Sequence, residues 1–129
     1  MPHDEFLEKA ISKLESAEYL FNGGYYDDAA SRAYYAMYYV ARALLALKDI
    51  YPKTHSGLIS KFGLEFVKDG YLEVIHGQAI SQAKDIRENA DYGVGIEISK
   101  EEAEDVIENA RSFLDKVQKV IKEIKKSKK

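Results

Sequence analysis

The chain has 129 residues, with 19 Lys and Arg against 22 Asp and Glu, and no cysteine. A chain of this size buries roughly two-thirds of the surface its unfolded form exposes, so one domain over residues 1–129 can build its own core. The missing thiols exclude disulfides, thiolate zinc sites and cysteine nucleophiles, and they are compatible with a reducing, cytoplasmic setting. No apolar run approaches the roughly 20 residues of a membrane span, and Asp4, Glu5, Glu8 and Glu15 stand where a signal peptide would be apolar. A net charge of -3 and a pI near 5.6 argue against whole-surface nucleic-acid binding while leaving room for a local basic patch.

Apolar residues recur at helical spacing from the start. Residues 3 to 22 place Phe6, Leu7, Ala10, Ile11, Leu14, Ala17 and Leu20 on one stripe, and Gly23-Gly24 then breaks the helix at a tight connection. A second helix turns back over about 25 to 48, with Asp27 and Asp28 in its first turn, where the helix dipole favours acidic side chains. Asp49-Ile50-Tyr51-Pro52 is expected to end it, since proline disfavours helical geometry in the residue before it and cannot continue the ladder. A third helix opens at Lys53-Thr54-His55-Ser56-Gly57, capped by Thr54 or Ser56, and runs to about 68 on Leu58, Ile59, Phe62, Leu64, Phe66 and Val67. Asp69-Gly70 closes it, and Tyr71 begins a fourth helix that reaches about residue 90, ahead of Gly93 and Gly95. Ser99 with Glu102 fits a capping box for the longest helix, seamed by Val106, Ile107, Ala110, Phe113, Leu114, Val117, Val120, Ile121 and Ile124. Its basic end, over about 120–129, is expected to fray. No stretch reads as a strand, so the expected fold is an all-α, antiparallel-type bundle of about five helices.

The second helix carries two faces. Ala33, Ala36 or Met37, Val40, Leu44 and Leu47 form an ordinary apolar seam. Arg32, Tyr35, Tyr39 and Arg42 recur at spacings of three, four and three, and so alternate cation with phenol along a second face. A face needing only a core would use leucine, because a buried phenol or guanidinium must find a hydrogen-bond partner. A polar partner is therefore expected there. Arg87 and Asp91, four apart near the end of the fourth helix, can pair on one face, an arrangement worth only ~0.3–0.5 kcal/mol if exposed. Lys53, Thr54, His55 and Ser56 concentrate donors at a helix N-terminus, where free N–H groups attract anions, although an N-cap beside a surface histidine accounts for the same residues. His3, His55 and His76 share no ligand spacing and no paired carboxylates occur, so neither a metal nor a cofactor is expected.

Three motifs in register, Arg32-Ala-Tyr-Tyr-Ala with Ala-Arg-Ala-Leu-Leu after it, Lys53-Thr54-His55-Ser56-Gly57 and Arg87-x-x-Ala90-Asp91-Tyr92, resemble the HEPN (higher eukaryotes and prokaryotes nucleotide-binding) superfamily. The likeness runs from about residue 3 to 120 and is closest to its small prokaryotic branch. It implies an all-α bundle, commonly a homodimer, often paired with a small nucleotidyltransferase in toxin–antitoxin systems. Many members are metal-independent ribonucleases whose signature is an arginine followed four to six residues later by histidine, usually with asparagine after the arginine. Here Arg87 matches the arginine, Glu88 stands at the asparagine position, and Asp91 and Tyr92 occupy the place of the histidine. Cleavage through the 2'-hydroxyl needs a group that exchanges a proton near neutral pH, for which imidazole is suited and a carboxylate beside arginine is not. The resemblance therefore implies a binding module more than an enzyme. Arg32, Tyr35, Tyr39, Arg42, Lys53, His55, Arg87, Asp91 and Tyr92 would contact a nucleotide, an RNA or a nucleotidyltransferase partner. The alternative is an endoribonuclease using Arg87 with Asp91, Tyr92 or His55, the last only if the fold brings it to Arg87. A third reading leaves the Arg–Tyr network purely structural.

Overall fold

The computed structural model describes residues 2–68, 70, 72–92 and 97–127, with the backbone alone at Tyr92 and Ser127. The expected helix boundaries at Asp69, Tyr71, Gly93 and Gly95 lie outside these residues. Five α-helices form: α1 (Pro2–Asn22), α2 (Tyr26–Ala46), α3 (His55–Phe62), α4 (Val74–Tyr92) and α5 (Lys100–Ser127), and among the described residues there is no strand. The all-α bundle read from the sequence is thus what the chain adopts.

Each helix end has a local cause. Gly24 (φ 85°) takes the left-handed conformation. The Tyr25 amide then bonds Leu20 O at 2.9 Å and the Gly24 amide bonds Phe21 O at 3.0 Å, a Schellman closure that reverses the chain between α1 and α2. The same device ends α2 before Pro52 is reached. Asp49 (φ 57°) is left-handed, and the Ile50 amide reaches Leu45 O at 3.1 Å, so within the expected Asp49–Pro52 stop it is a C-terminal cap that closes the helix. Thr54, not Ser56, caps α3, its Oγ1 accepting from the Gly57 amide at 2.9 Å. The capping box on α5 forms in both directions. The Glu102 amide donates to Ser99 Oγ at 3.0 Å, and the Ser99 amide donates to Glu102 Oε1 at 3.3 Å.

The apolar seams converge on α2, which packs against α1, α5, α4 and α3. Ala33, Met37, Val40 and Leu44 of α2 are buried with Ala10, Leu14 and Ala17 of α1 and with Val106, Phe113, Val117 and Val120 of α5. Two apolar positions of the expected seams, Ile11 and Leu64, are exposed, as are Val74 and Ile75 at the start of the fourth helix. Leu64 sits in a π-wound turn, Gly63–Val67, that continues α3. Phe62 and Phe66 stay buried through that turn, which leaves Leu64 outward. The fourth helix begins at Val74, so Val74 and Ile75 form a first turn that projects from the bundle. Helix α5 is helical through Ser127, with Val120, Ile121 and Ile124 buried.

Candidate functional site

The tyrosines of α2 form an aromatic floor on which two other helices each place one polar group. From the start of α3, the His55 ring stacks on Tyr38 (centroids 4.5 Å apart, 27° between planes) and, offset, on Tyr34 at 5.7 Å. It meets Tyr35 edge-on at 5.9 Å. From α4, the Arg87 guanidinium carbon lies 5.4 Å from the Tyr34 ring centre and 5.6 Å from that of Tyr35. Both are cation–π distances, and a buried guanidinium gains more from them than an exposed one. His55 and Arg87 therefore share Tyr34 and Tyr35 as neighbours.

One hydrogen bond sets the chemistry of the imidazole. Tyr34 is fully buried, and its hydroxyl lies 2.6 Å from His55 Nδ1. Burial pushes the Tyr34 phenol far above its ordinary range, the Arg87 charge opposing in part. The phenol thus keeps its proton, and we assign it as the donor to Nδ1, the arrangement that gives the buried hydroxyl proton a partner. Burial also lowers His55, as do the charges of Arg87 and Lys84, with Glu88 opposing. A neutral imidazole that accepts at Nδ1 carries its proton on Nε2, so the second nitrogen is a donor. In this tautomer His55 offers a hydrogen bond to a ligand oxygen and has no free lone pair with which to act as a base.

Arg87 and Asp91 pair as the spacing predicts, Nη1 donating to Oδ2 at 3.3 Å. Arg87 is buried, at 8% exposure, whereas Asp91 is exposed. Glu88 bonds Lys84 at 2.9 Å, whose ammonium holds its carboxyl below the usual range. The glutamate at the asparagine position is therefore engaged along its own helix. The side chain of Tyr92 lies outside the described residues.

The structure divides the other expected residues. Arg32, Tyr35 and Tyr39 line a groove between α2 and α1. Tyr39 lies near Phe6, with ring centres 6.5 Å apart, beneath the Lys9 ammonium at 5.1 Å. Arg42 packs over Phe6 (4.6 Å) and Tyr38 (5.8 Å). Lys53 is exposed at the start of α3. Of the face read from the sequence, Tyr35 lines the groove and also lies against both Arg87 and His55. The residues that reading missed are Tyr34 and Tyr38. Their signal was the run Tyr34, Tyr38, Arg42 at spacings of four, which parallels the Tyr35–Tyr39 stripe one residue away.

The fold and this site define a helical-bundle protein with an arginine and an imidazole set on a tyrosine floor. The family model describing the HEPN domain matches residues 3–121, and this chain belongs to the HEPN family. Two proteins of Methanocaldococcus jannaschii, named "Putative toxin MJ0142" and "Putative toxin MJ0605", are each 43% identical over 118 residues. The match covers 92% of this chain and 80% and 87% of theirs. A Thermotoga maritima protein named "UPF0332 protein" is 33% identical over 119 residues, covering 92% of this chain and 90% of the relative. Among the described residues, no helix is long and apolar enough to cross a membrane and no acidic or histidine cluster is arranged to hold a metal ion.

Proposed function

We propose that the Arg87–His55–tyrosine cluster is a binding site for a nucleotide or an RNA, in a HEPN module that works as a homodimer and pairs with a small nucleotidyltransferase of toxin–antitoxin type. One observation carries the ligand class: Arg87 and His55 arrive from different helices over the same two tyrosine rings. Arginine supplies phosphate recognition, the Nε2–H donor of His55 a second contact to an oxygen, and Tyr35, half-buried at the edge, a face for a base. Relatives named as toxins support the toxin–antitoxin setting.

Fluorescence anisotropy with labelled RNA at low salt tests this reading. A charge-assisted contact from Arg87 is worth ~1.5–3 kcal/mol, so Arg87→Ala should weaken binding by roughly ten- to a hundredfold. Absence of binding by the wild-type protein overturns the reading. The second reading, a metal-independent endoribonuclease, is favoured by the nearness of His55 to Arg87. It predicts RNA cleavage in EDTA that disappears in Arg87→Ala. We favour binding because the Tyr34 hydroxyl occupies the lone pair that a general base would need.

A further inference from the structure

The groove on the other side of Tyr35 uses residues that the Arg87 cluster does not. It has a volume of about 470 Å³ and is lined by Lys13 and Leu20 of α1 and by Asp28, Ser31, Arg32, Tyr35 and Tyr39 of α2. Lys13 and Arg32 both face this space. Among the described residues, neither has a carboxylate within ion-pair distance, although Asp28 stands at the rim. Burial lowers the Lys13 ammonium below its ordinary range, and the charges of Arg32 and Lys9 lower it further. In a chain of net charge -3, this concentration of positive charge in one concave place is a local exception.

Aromatic rings interleave with the cations. Tyr39 forms one wall beneath the Lys9 ammonium at 5.1 Å, and Tyr35 forms the boundary with the Arg87 cluster, which lies 5.6 Å from the same ring. Arg32 also borders a second hollow on its far side, next to Tyr19, a tyrosine left 81% exposed on α1. A positive groove bearing stacking faces is how proteins hold single-stranded nucleic acid without reading its sequence: cations track the phosphates and rings take the bases. A mononucleotide on Arg87 would leave this groove unused.

We infer that Lys13 and Arg32 form a second phosphate subsite, so that the ligand is a single strand running from the Arg87 cluster across Tyr35 into the groove between α1 and α2. The inference rests on the nucleotide or RNA reading of the Arg87 cluster and extends it from a nucleotide to a chain. It also assigns a role to Lys13, which the motifs do not include. Tyr35 becomes the joint between the two subsites.

The test compares a labelled single-stranded RNA hexamer with a labelled mononucleotide, on wild-type protein, Arg87→Ala and the double variant Lys13→Gln/Arg32→Gln. In the double variant, hexamer affinity should fall at least tenfold. The slope of log affinity against log salt should shrink by about 1.4, from ~0.7 per phosphate contact on a single strand. Mononucleotide affinity should change less than twofold. An unchanged hexamer affinity and slope, with binding still lost in Arg87→Ala, overturns the groove and leaves the Arg87 site standing. Failure of the wild-type protein to bind either ligand overturns both. Should the double variant lose its helical circular dichroism signal, Arg32→Gln alone, at an exposed position, carries the test with an expected slope change of about 0.7.

Discussion

Tyr34→Phe isolates the contact on which the chemistry of the site depends. The substitution deletes one oxygen from a fully buried side chain and leaves the ring that supports Arg87 at 5.4 Å. What is lost is the 2.6 Å bond to His55 Nδ1. The His55 ring is only half-buried, so water can reach the vacated nitrogen, and the net loss is that of one ordinary hydrogen bond, ~1 kcal/mol, rather than the larger penalty of a sealed, unpaired acceptor. For a chain of this length that lowers Tm by about 3–5 °C near neutral pH. The same bond favours the neutral imidazole, since protonation removes the lone pair that accepts it, so the pKa of His55 should rise in the variant. Calorimetry gives the first quantity and NMR titration of the His55 ring protons the second. An unchanged Tm together with an unchanged His55 titration would refute the assignment of Tyr34 as donor and of the Nε2–H tautomer.

The remaining predictions follow from the same geometry. His55 and His3 both have folded-state pKa values below the ordinary 6.5. The folded chain therefore binds fewer protons than the unfolded chain once pH drops below 6.5. The stability held at neutral pH is lost as pH falls through the two lowered values. Thermal scans from about pH 7.5 to about pH 5.5 should show this decline, and His3→Gln/His55→Gln should flatten it; an equal decline in the double variant would point to other groups. Ser99→Ala removes the acceptor of the 3.0 Å bond from the Glu102 amide and should cost ~1 kcal/mol of stability, with RNA binding unchanged.

Much of the fold was legible because helical periodicity and capping chemistry are local. The Gly23-Gly24 break, the Ser99–Glu102 box and the seams of α1, α2 and α5 are properties of residues within two turns of one another. The departures are places where a tertiary demand overrode a local rule. The π-wound turn keeps Phe62 and Phe66 inward at the expense of Leu64. Within the site, the Arg87–Asp91 pair was readable as a four-residue spacing. The meeting of Tyr34 with His55, 21 positions apart, depends on how α3 lies against α2, which no spacing encodes. The division of the tyrosines between two faces was hidden for the same reason. Both stripes are helical, and only the position of α1 decides that Tyr39 belongs to the groove while α3 and α4 claim Tyr34 and Tyr38.

The central place of α2 also governs how the site opens. Its amides sit in the helix that every other helix packs against, so their exchange with solvent deuterium should require unfolding of the whole molecule. The short α3, capped by Thr54 and continued by a π-wound turn, is anchored in the core by Leu58 and Phe62, and its amides should exchange through local opening, sooner than those of α2. His55 begins that helix. A strand of RNA bridging His55 and Arg87 would then register as slowed exchange in α3 and α4, with α2 already at its limit.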